Sequence, residues 1–566
     1  MRKKEEKFHS KKAIKLTIIL VLITTTITSS IKFYSFLEGT SLTLFHLNSH
    51  PPIIIDSDSD FISFAFPGAG IESDPYIINE YDISTNNEKG ISISNTTKYF
   101  VISDCIIDAK DYGIYIYNVS EGTGTITNNI CNNHNDFGII IKNSNAIKIT
   151  WNFCSYNWHG IVLTNSTDSL IYNNTCVCNY YSGIYINYSN FTTIKQNLSQ
   201  NNSLNGICIQ DSYRTTVIFN SCHNNWPLDG IRLSNAYMSI VANNTCSHNL
   251  GSNIILYSSN NSLVTNNTCF DKGFGISIVQ SGNVTLSKNA CSTSVYGIFM
   301  DDAEHSVIIE NQLFGCGYDI IENNVFDYLT YTISDNLINY KKFGFYCNKK
   351  NFRIVKPKYG QLLLVYCSDV KIKKQIVNNT KTGITLRFCD QITIIDSICS
   401  NNKELGIHLY KSTNIELINN TCSTNNLAGI LLETSSANSL SYNYLINNFL
   451  WGMVLDKNSH HNIIHHNTFI NNNVYYSDGS SQAKDDGYDN IWYDQEMLEG
   501  NYWSDYQGGG NYSIDGLANS LDLYPLLEQP IYEVKKYFEL FALLAAIPLV
   551  IITYAFRRKK MKLDWF

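Results

Sequence analysis

The chain has 566 residues, of which 44% are hydrophobic and only 16% charged, with a net charge of −8. That much apolar material can bury a large core, while the negative balance and the lack of a basic run in the body argue against nucleic acid as a partner. Asn, Ser, Thr, Ile and Tyr abound and only nine prolines are present, a mixture that favours short strands and turns in one continuous body.

Residues 1–31 open on Arg2, Lys3, Lys4, Lys7, Lys11, Lys12 and Lys15, followed by LTIILVLI at 16–23. This is the layout of a signal peptide or signal-anchor. At the far end, YFELFALLAAIPLVIITYAF (537–556) would span about 30 Å as a helix, the thickness of a bilayer core. RRKKMK follows at 557–562, and basic flanks stay inside. The expectation is a cell-membrane protein with its body outside the cytoplasm and 557–566 as a cytoplasmic tail. N-x-S/T sequons at Asn95, Asn165, Asn190, Asn260, Asn283 and Asn511 are compatible with a glycosylated exterior.

Between these ends one pattern recurs. Gly-apolar-x-apolar stands at Gly90, Gly113, Gly138, Gly160, Gly183, Gly206 and Gly230, then at Gly275, Gly297, Gly383, Gly406, Gly429 and Gly452. Most steps are 22–25 residues. The tetrapeptide NNTC keeps the same beat at 173–176, 243–246, 266–269 and 419–422. A fixed period of short apolar strands means stacked units, and the body shows no sustained helical periodicity. A leucine-rich frame is absent, and a propeller blade would need 40 or more residues. The spacing predicts an all-β, right-handed parallel β-helix of about 14–16 coils. Equivalent residues then stack. Asn suits the left-handed corners and can hydrogen-bond the next Asn, and Cys suits a tight inward row. Most ladder cysteines are therefore expected to be buried and unbridged, because stacked side chains point in parallel.

Three stretches besides the repeat carry a family resemblance. PGAGIESDPYIINEYDI (67–83) resembles the N-terminal segment of NosD-like β-helix surface proteins, a pectin-lyase-like solenoid class. Residues 332–372 resemble the insert those proteins carry between two coil blocks, and GNYWSDY (500–506) with DLYPLL (522–527) looks like their C-terminal cap. The resemblance implies an N-terminal cap at 50–85, coil blocks at 86–325 and 373–475, an insert at 326–372 and a cap at 476–530. It also implies an exported, carbohydrate-facing or accessory scaffold; the named NosD proteins assist copper delivery. The family cap often bears an acidic run, of which QGGGNYSIDGLANSLD (507–522) keeps only Asp515 and Asp522, so a cap calcium site is not expected.

Outward positions after each Gly give the candidate sites. Tyr115, Tyr185 and Phe299, in a row that also holds Val162, Cys208 and Thr385, and Tyr410 in the next outward row offer flat faces for sugar stacking. Glu433 and Asp456 fall one coil apart, a carboxylate pair suited to glycosidic chemistry, with Arg387 and His408 beside them. SHHNIIHHN (459–467) supplies His460, His461, His465 and His466, a set that could bind copper or zinc, while the Ala483–Asn490 loop, with three carboxylates, could take calcium. The expected function is a membrane-anchored scaffold that binds a surface glycan or another surface protein, without clear catalysis. The alternatives are a polysaccharide lyase, epimerase or hydrolase, and a copper-handling accessory protein.

Overall fold

The computed structural model describes residues 47–292, 296–473 and 480–529. The predicted signal segment and the 537–556 span lie outside them. Among the described residues no helix is long and apolar enough to cross a membrane. The chain forms two compact units, one up to Asn179 and one from Tyr180. Both are all-β, wound from short parallel strands, with about 17 turns in total against the 14–16 expected. Parallel strands outside the repeat add to the expected number, in 326–372 and at Ile53–Ile55 and Ala483–Asp485.

One coil shows how the sequence winds. Ile231–Ser234 alternates buried and half-buried residues, so Ile231 and Leu233 point inward. Ile240–Ala242 and Thr245–Ser247 complete three faces, sending Val241 and Cys246 into the core. Asn243 bends the chain at φ 56°, in the left-handed region that Asn tolerates better than most side chains. NNTC thus divides its labour: the first Asn turns the corner, the second enters a ladder, Thr faces out and Cys faces in.

The ladder is directional. Asn220 donates its backbone N–H and its Nδ2 to Asn244 Oδ1 at 2.8 and 3.0 Å. Asn244 repeats both bonds to Asn267, and Asn267 to Asn289, while each Nδ2 also reaches a main-chain carbonyl of an earlier strand. The glycine rule has a steric cause. A Cβ on Gly206 would lie 2.5 Å from the Gly230 carbonyl oxygen, and one on Gly406 would lie 2.5 Å from that of Gly429. Coils approach too closely there for any side chain.

Cys222, Cys246, Cys269 and Cys291 are directly paired along one sheet, and every described cysteine is a free thiol. Burial pushes the Cys246 and Cys422 thiols well above their ordinary range, so they stay protonated. Alkylation of the denatured, unreduced protein should therefore label all 16 cysteines, read by mass spectrometry. Labelling of half or fewer would contradict the unbridged ladder.

Within the second unit the sheets change partners. Gln312–Phe314 pairs with Leu337–Ile338, which turns back antiparallel onto Lys341–Cys347. That strand carries Tyr359–Val365, which in turn carries the Gly strand Thr382–Arg387. The sheet that held Cys strands thus goes on to hold Gly strands. Meanwhile the last Gly strand of the earlier block, Tyr318–Ile321, lies at the edge of its own sheet. Gln361 closes that edge, accepting from Tyr318 N–H and donating to Tyr318 O, both at 2.8 Å.

Aromatic residues plug the start of the first unit's coils and the end of the second's. Phe61, in the short helix Asp60–Ser63, stacks on Tyr76 at 4.6 Å. At the C-terminal end Phe469, Trp503 and Tyr512 stack at 4.1 Å intervals. The Asn420–Asn443–Asn467–Asn501 ladder ends on Asp522, which also accepts from Trp503 Nε1 at 2.9 Å. A second ladder ends on Gln482, and a third reaches Asn490, whose amide donates to Asp485. GNYWSDY thus supplies the last rung, Asn501, and the stacked Trp503, while the groups that end the ladders come from outside it.

Candidate functional site

The change of partners brings two outward faces together. Phe299 and Asp319 are neighbours on the earlier Gly sheet. On the later one, Thr385, His408 and Leu431 form one row, and Arg387, Tyr410 and Glu433 form the next. Lys381 joins the faces: its Nζ lies 2.6 Å from Asp319 and 3.2 Å from Glu404. Arg387 Nη2 reaches the other Asp319 oxygen at 3.6 Å, and its guanidinium sits 5.1 Å from the centre of the Tyr410 ring. Lys411 Nζ lies 5.0 Å from the same ring. Tyr296 donates to Glu404 at 2.5 Å, stacks on Phe274 at 4.4 Å and meets Phe299 edge-on at 5.9 Å.

His408 Nε2 and Glu433 form a 3.0 Å bond. Burial holds His408 below its ordinary pKa, so the ring is neutral at neutral pH. The bond to His408 holds Glu433 below the usual carboxylate range, opposite to what a general acid needs. Burial, helped by Asp302 and Asp319, raises Asp301. Glu322, buried and accepting from the Tyr331 hydroxyl and the Ala303 N–H, is pushed up to about 7.

The structure therefore gathers Phe299, Arg387, His408, Tyr410 and Glu433 of the expected residues. Asp456 does not join them. It lies just past the strand Trp451–Leu455, and its Oδ1 accepts from Thr434 N–H at 2.8 Å and Ser459 Oγ at 2.6 Å, the work of a turn cap. Tyr115 lies in the first unit under Lys89 Nζ, 3.9 Å from its ring centre, and Tyr185 is tied to Gln210 at 3.1 Å. The outward row is more covered than expected: Val162, Cys208 and Thr385 are buried. Cys208, for one, is flanked along the row by Tyr185 and Arg232. Sequence reading missed Asp319, Lys381, Glu404 and Tyr296; an outward Asp following Phe299 in the row was the available signal.

The two histidine pairs fall at successive corners. His460 and His461 are in contact with Tyr488, and His465 and His466 lie beside Asp494. The Ala483–Asn490 loop does not fit calcium. Asp485 is fully buried and accepts from Gly487, Asn490, Trp492 and Ser520, while Asp486 is paired with Lys484 at 2.6 Å. Those carboxylates are occupied by protein donors. A hollow of about 480 Å³ in the first unit, lined by residues including Pro52, Glu88, Lys89 and Lys110, is open and far in sequence from this chemistry.

Parallel sheets, free inward thiols and amide ladders define a right-handed β-helix, and residues 89–235 match the right-handed beta helix region. Residues 219–351 and 328–508 match the family described as periplasmic copper-binding protein (NosD), and the chain belongs to that family. No curated protein matches the sequence. Among solved structures it is similar to the Dettilon tailspike protein, at 14% identity over 51% of this chain and 63% of that one, with a TM-score of 0.38. This chain thus spans less than two thirds of the tailspike's length. It is also similar to an alginate lyase from Paenibacillus sp. (12% identity, 48% and 99% covered, TM-score 0.30). A third is bacteriophage phi29 gene product 12 (10% identity, 77% and 68% covered, TM-score 0.32). These likenesses are to the coil and carry no functional argument.

Proposed function

We propose that the chain is an extracytoplasmic scaffold, tethered through 537–556, that binds a surface polysaccharide on the face running from Phe299 to Tyr410 and does not cleave it. The observation that supports binding is the Tyr410 ring with buried Arg387 against it and exposed Lys411 beside it, an aromatic surface next to a cation that can meet a sugar ring and its carboxylate or hydroxyl groups. Asp319 and Glu404 are ion-paired with Lys381 or Arg387, and Glu433 accepts a hydrogen bond from the neutral His408 ring, so none of the three is set up as a proton donor.

The test is a glycan array with the full-length chain. Tyr410→Ala should weaken retention roughly tenfold, about 1.4 kcal/mol, with no product released by the parent protein. Retention unchanged by Tyr410→Ala would remove this face from the proposal. Turnover by the parent that disappears in Glu433→Gln would put a lyase, epimerase or hydrolase in its place.

A further inference from the structure

Residues 341–374 hold ten lysines and arginines and a single carboxylate, Asp369, in a chain whose net charge is −8. No run of sequence collects them; the coils do. Arg353, exposed on Lys350–Ile354, is paired with Lys371 on Ser368–Lys373. Two residues further along, Lys373 is also turned outward, and exposed Lys374 stands at the corner with φ 52°. Gln375 Nε2 donates to the carbonyls of Lys356 and Lys373, at 2.9 and 2.7 Å, which fixes the exposed 355–358 turn against this corner. Among the described residues none of these cations is in an ion pair.

Charge on an edge strand discourages pairing with other chains, and Lys350–Ile354 is the first strand of its sheet. That accounts for Arg353. It does not account for Lys371 and Lys373, whose strand is paired on both sides. Like charges directly opposed on neighbouring strands cost stability, and an anion between Arg353 and Lys371 would relieve that cost. The two line a hollow of about 380 Å³ together with Asn351, Asp369 and Thr393. Beside them the outward surface turns aliphatic. Lys373 is paired with Ile395 and Ile395 with Ile418, both half-buried, and Val355 is 51% exposed. The aromatic ring of these strands, Phe352, is packed on the core and stacked on Tyr346 at 4.9 Å, and is not presented as a platform for a sugar.

We propose that this face docks on a bilayer surface rich in anionic phospholipid, with a headgroup phosphate between Arg353 and Lys371 and the aliphatic residues against the interface. A sheet surface with unpaired cations and apolar side chains side by side suits a planar anionic interface, by the same terms that hold a basic amphipathic helix there. The guanidinium can meet a phosphate through two parallel bonds, and the ammonium adds a point charge. The inference rests on the tether of the proposed function for a bilayer being at hand, but not on glycan binding at Tyr410.

The experiment assembles the full-length chain into nanodiscs of phosphatidylcholine, alone or with phosphatidylglycerol, and maps lysine acylation by mass spectrometry. Lys371, Lys373 and Lys374 should react roughly threefold or more slowly in the anionic discs. The difference should vanish in ~1 M salt, where the screening length is about 3 Å. Lys288, exposed in the earlier coil block, should react alike in both. Arg353→Gln combined with Lys371→Gln should return Lys374 to its neutral-disc rate, with Lys288 unchanged as the sign of an intact fold. Equal rates in the two discs would overturn the proposal. So would protection given by soluble polygalacturonate in neutral discs and not by phosphatidylglycerol, which would assign the face to an acidic polysaccharide. A chain that does not enter neutral discs fails the tether alone. It is then sedimented with vesicles of the same two compositions: binding to the anionic ones only supports the docking face, and binding to neither overturns it.

Discussion

Asn244→Ala is expected to destabilise the chain by roughly 3–5 kcal/mol, seen as a fall in the denaturant midpoint. The residue is buried and joins four hydrogen bonds through its side chain. Truncation strands the N–H of Asn220 where water cannot replace the partner, at about 1–3 kcal/mol, and takes one hydrogen bond each from the Asn220 amide, the Val217 carbonyl and Asn267. It also opens a small void between coils. The neighbouring Asn243, exposed at its corner, supplies a left-handed backbone rather than a ladder rung, so Asn243→Ala should cost about 1 kcal/mol. Equal effects at the two positions would mean that the ladder is not what holds adjacent coils.

Lys381→Met should cost about 3–5 kcal/mol, because it removes the cation shared by two largely desolvated carboxylates. Lys381, Asp319 and Glu404 have side chains 11%, 12% and 24% exposed, and Arg387, at 3.6 Å, then faces Asp319 alone. Solvent reaching Glu404 places the loss toward the lower figure. Adding Asp319→Asn to Lys381→Met should recover part of the loss, and the double-mutant cycle isolates the pair. A loss under 1 kcal/mol, with no coupling, would show that the two coil blocks are not joined through this lysine.

The fold was legible because the repeat averages out local noise. Any one Gly-apolar-x-apolar is weak, but the same spacing through the body leaves only coils, and the Gly206 and Gly406 contacts show why Gly is kept at those steps. The site was half legible for a related reason. Arg387, His408, Tyr410 and Glu433 lie on strands of one block, where counting by coils places them correctly. Asp319 and Lys381 meet only because the hairpin of Leu337–Ile338 with Lys341–Cys347 shifts the faces, and no periodicity records such a shift. Asp456 failed because its strand ends one residue too soon, at Leu455. The histidines stood out, but Asp494 comes from the cap, outside the repeat.

The amide ladder has a polarity with consequences for how such a chain can lengthen. Each Asn gives hydrogens toward the next coil and receives them from the previous one, so the last receiver must spend its own hydrogens outside the ladder, as Gln482 does on Ser504 and Asp505, or have none to give. An ionised carboxylate is such a group, accepting only, and Asp522 receives the N–H and amide of Asn501 along with the indole of Trp503. A whole coil inserted between Asn420 and Asn501 would restore every donor–acceptor step and leave this terminus untouched. A fraction of a coil would set donor against donor. Growth by duplication is thus quantised in complete turns.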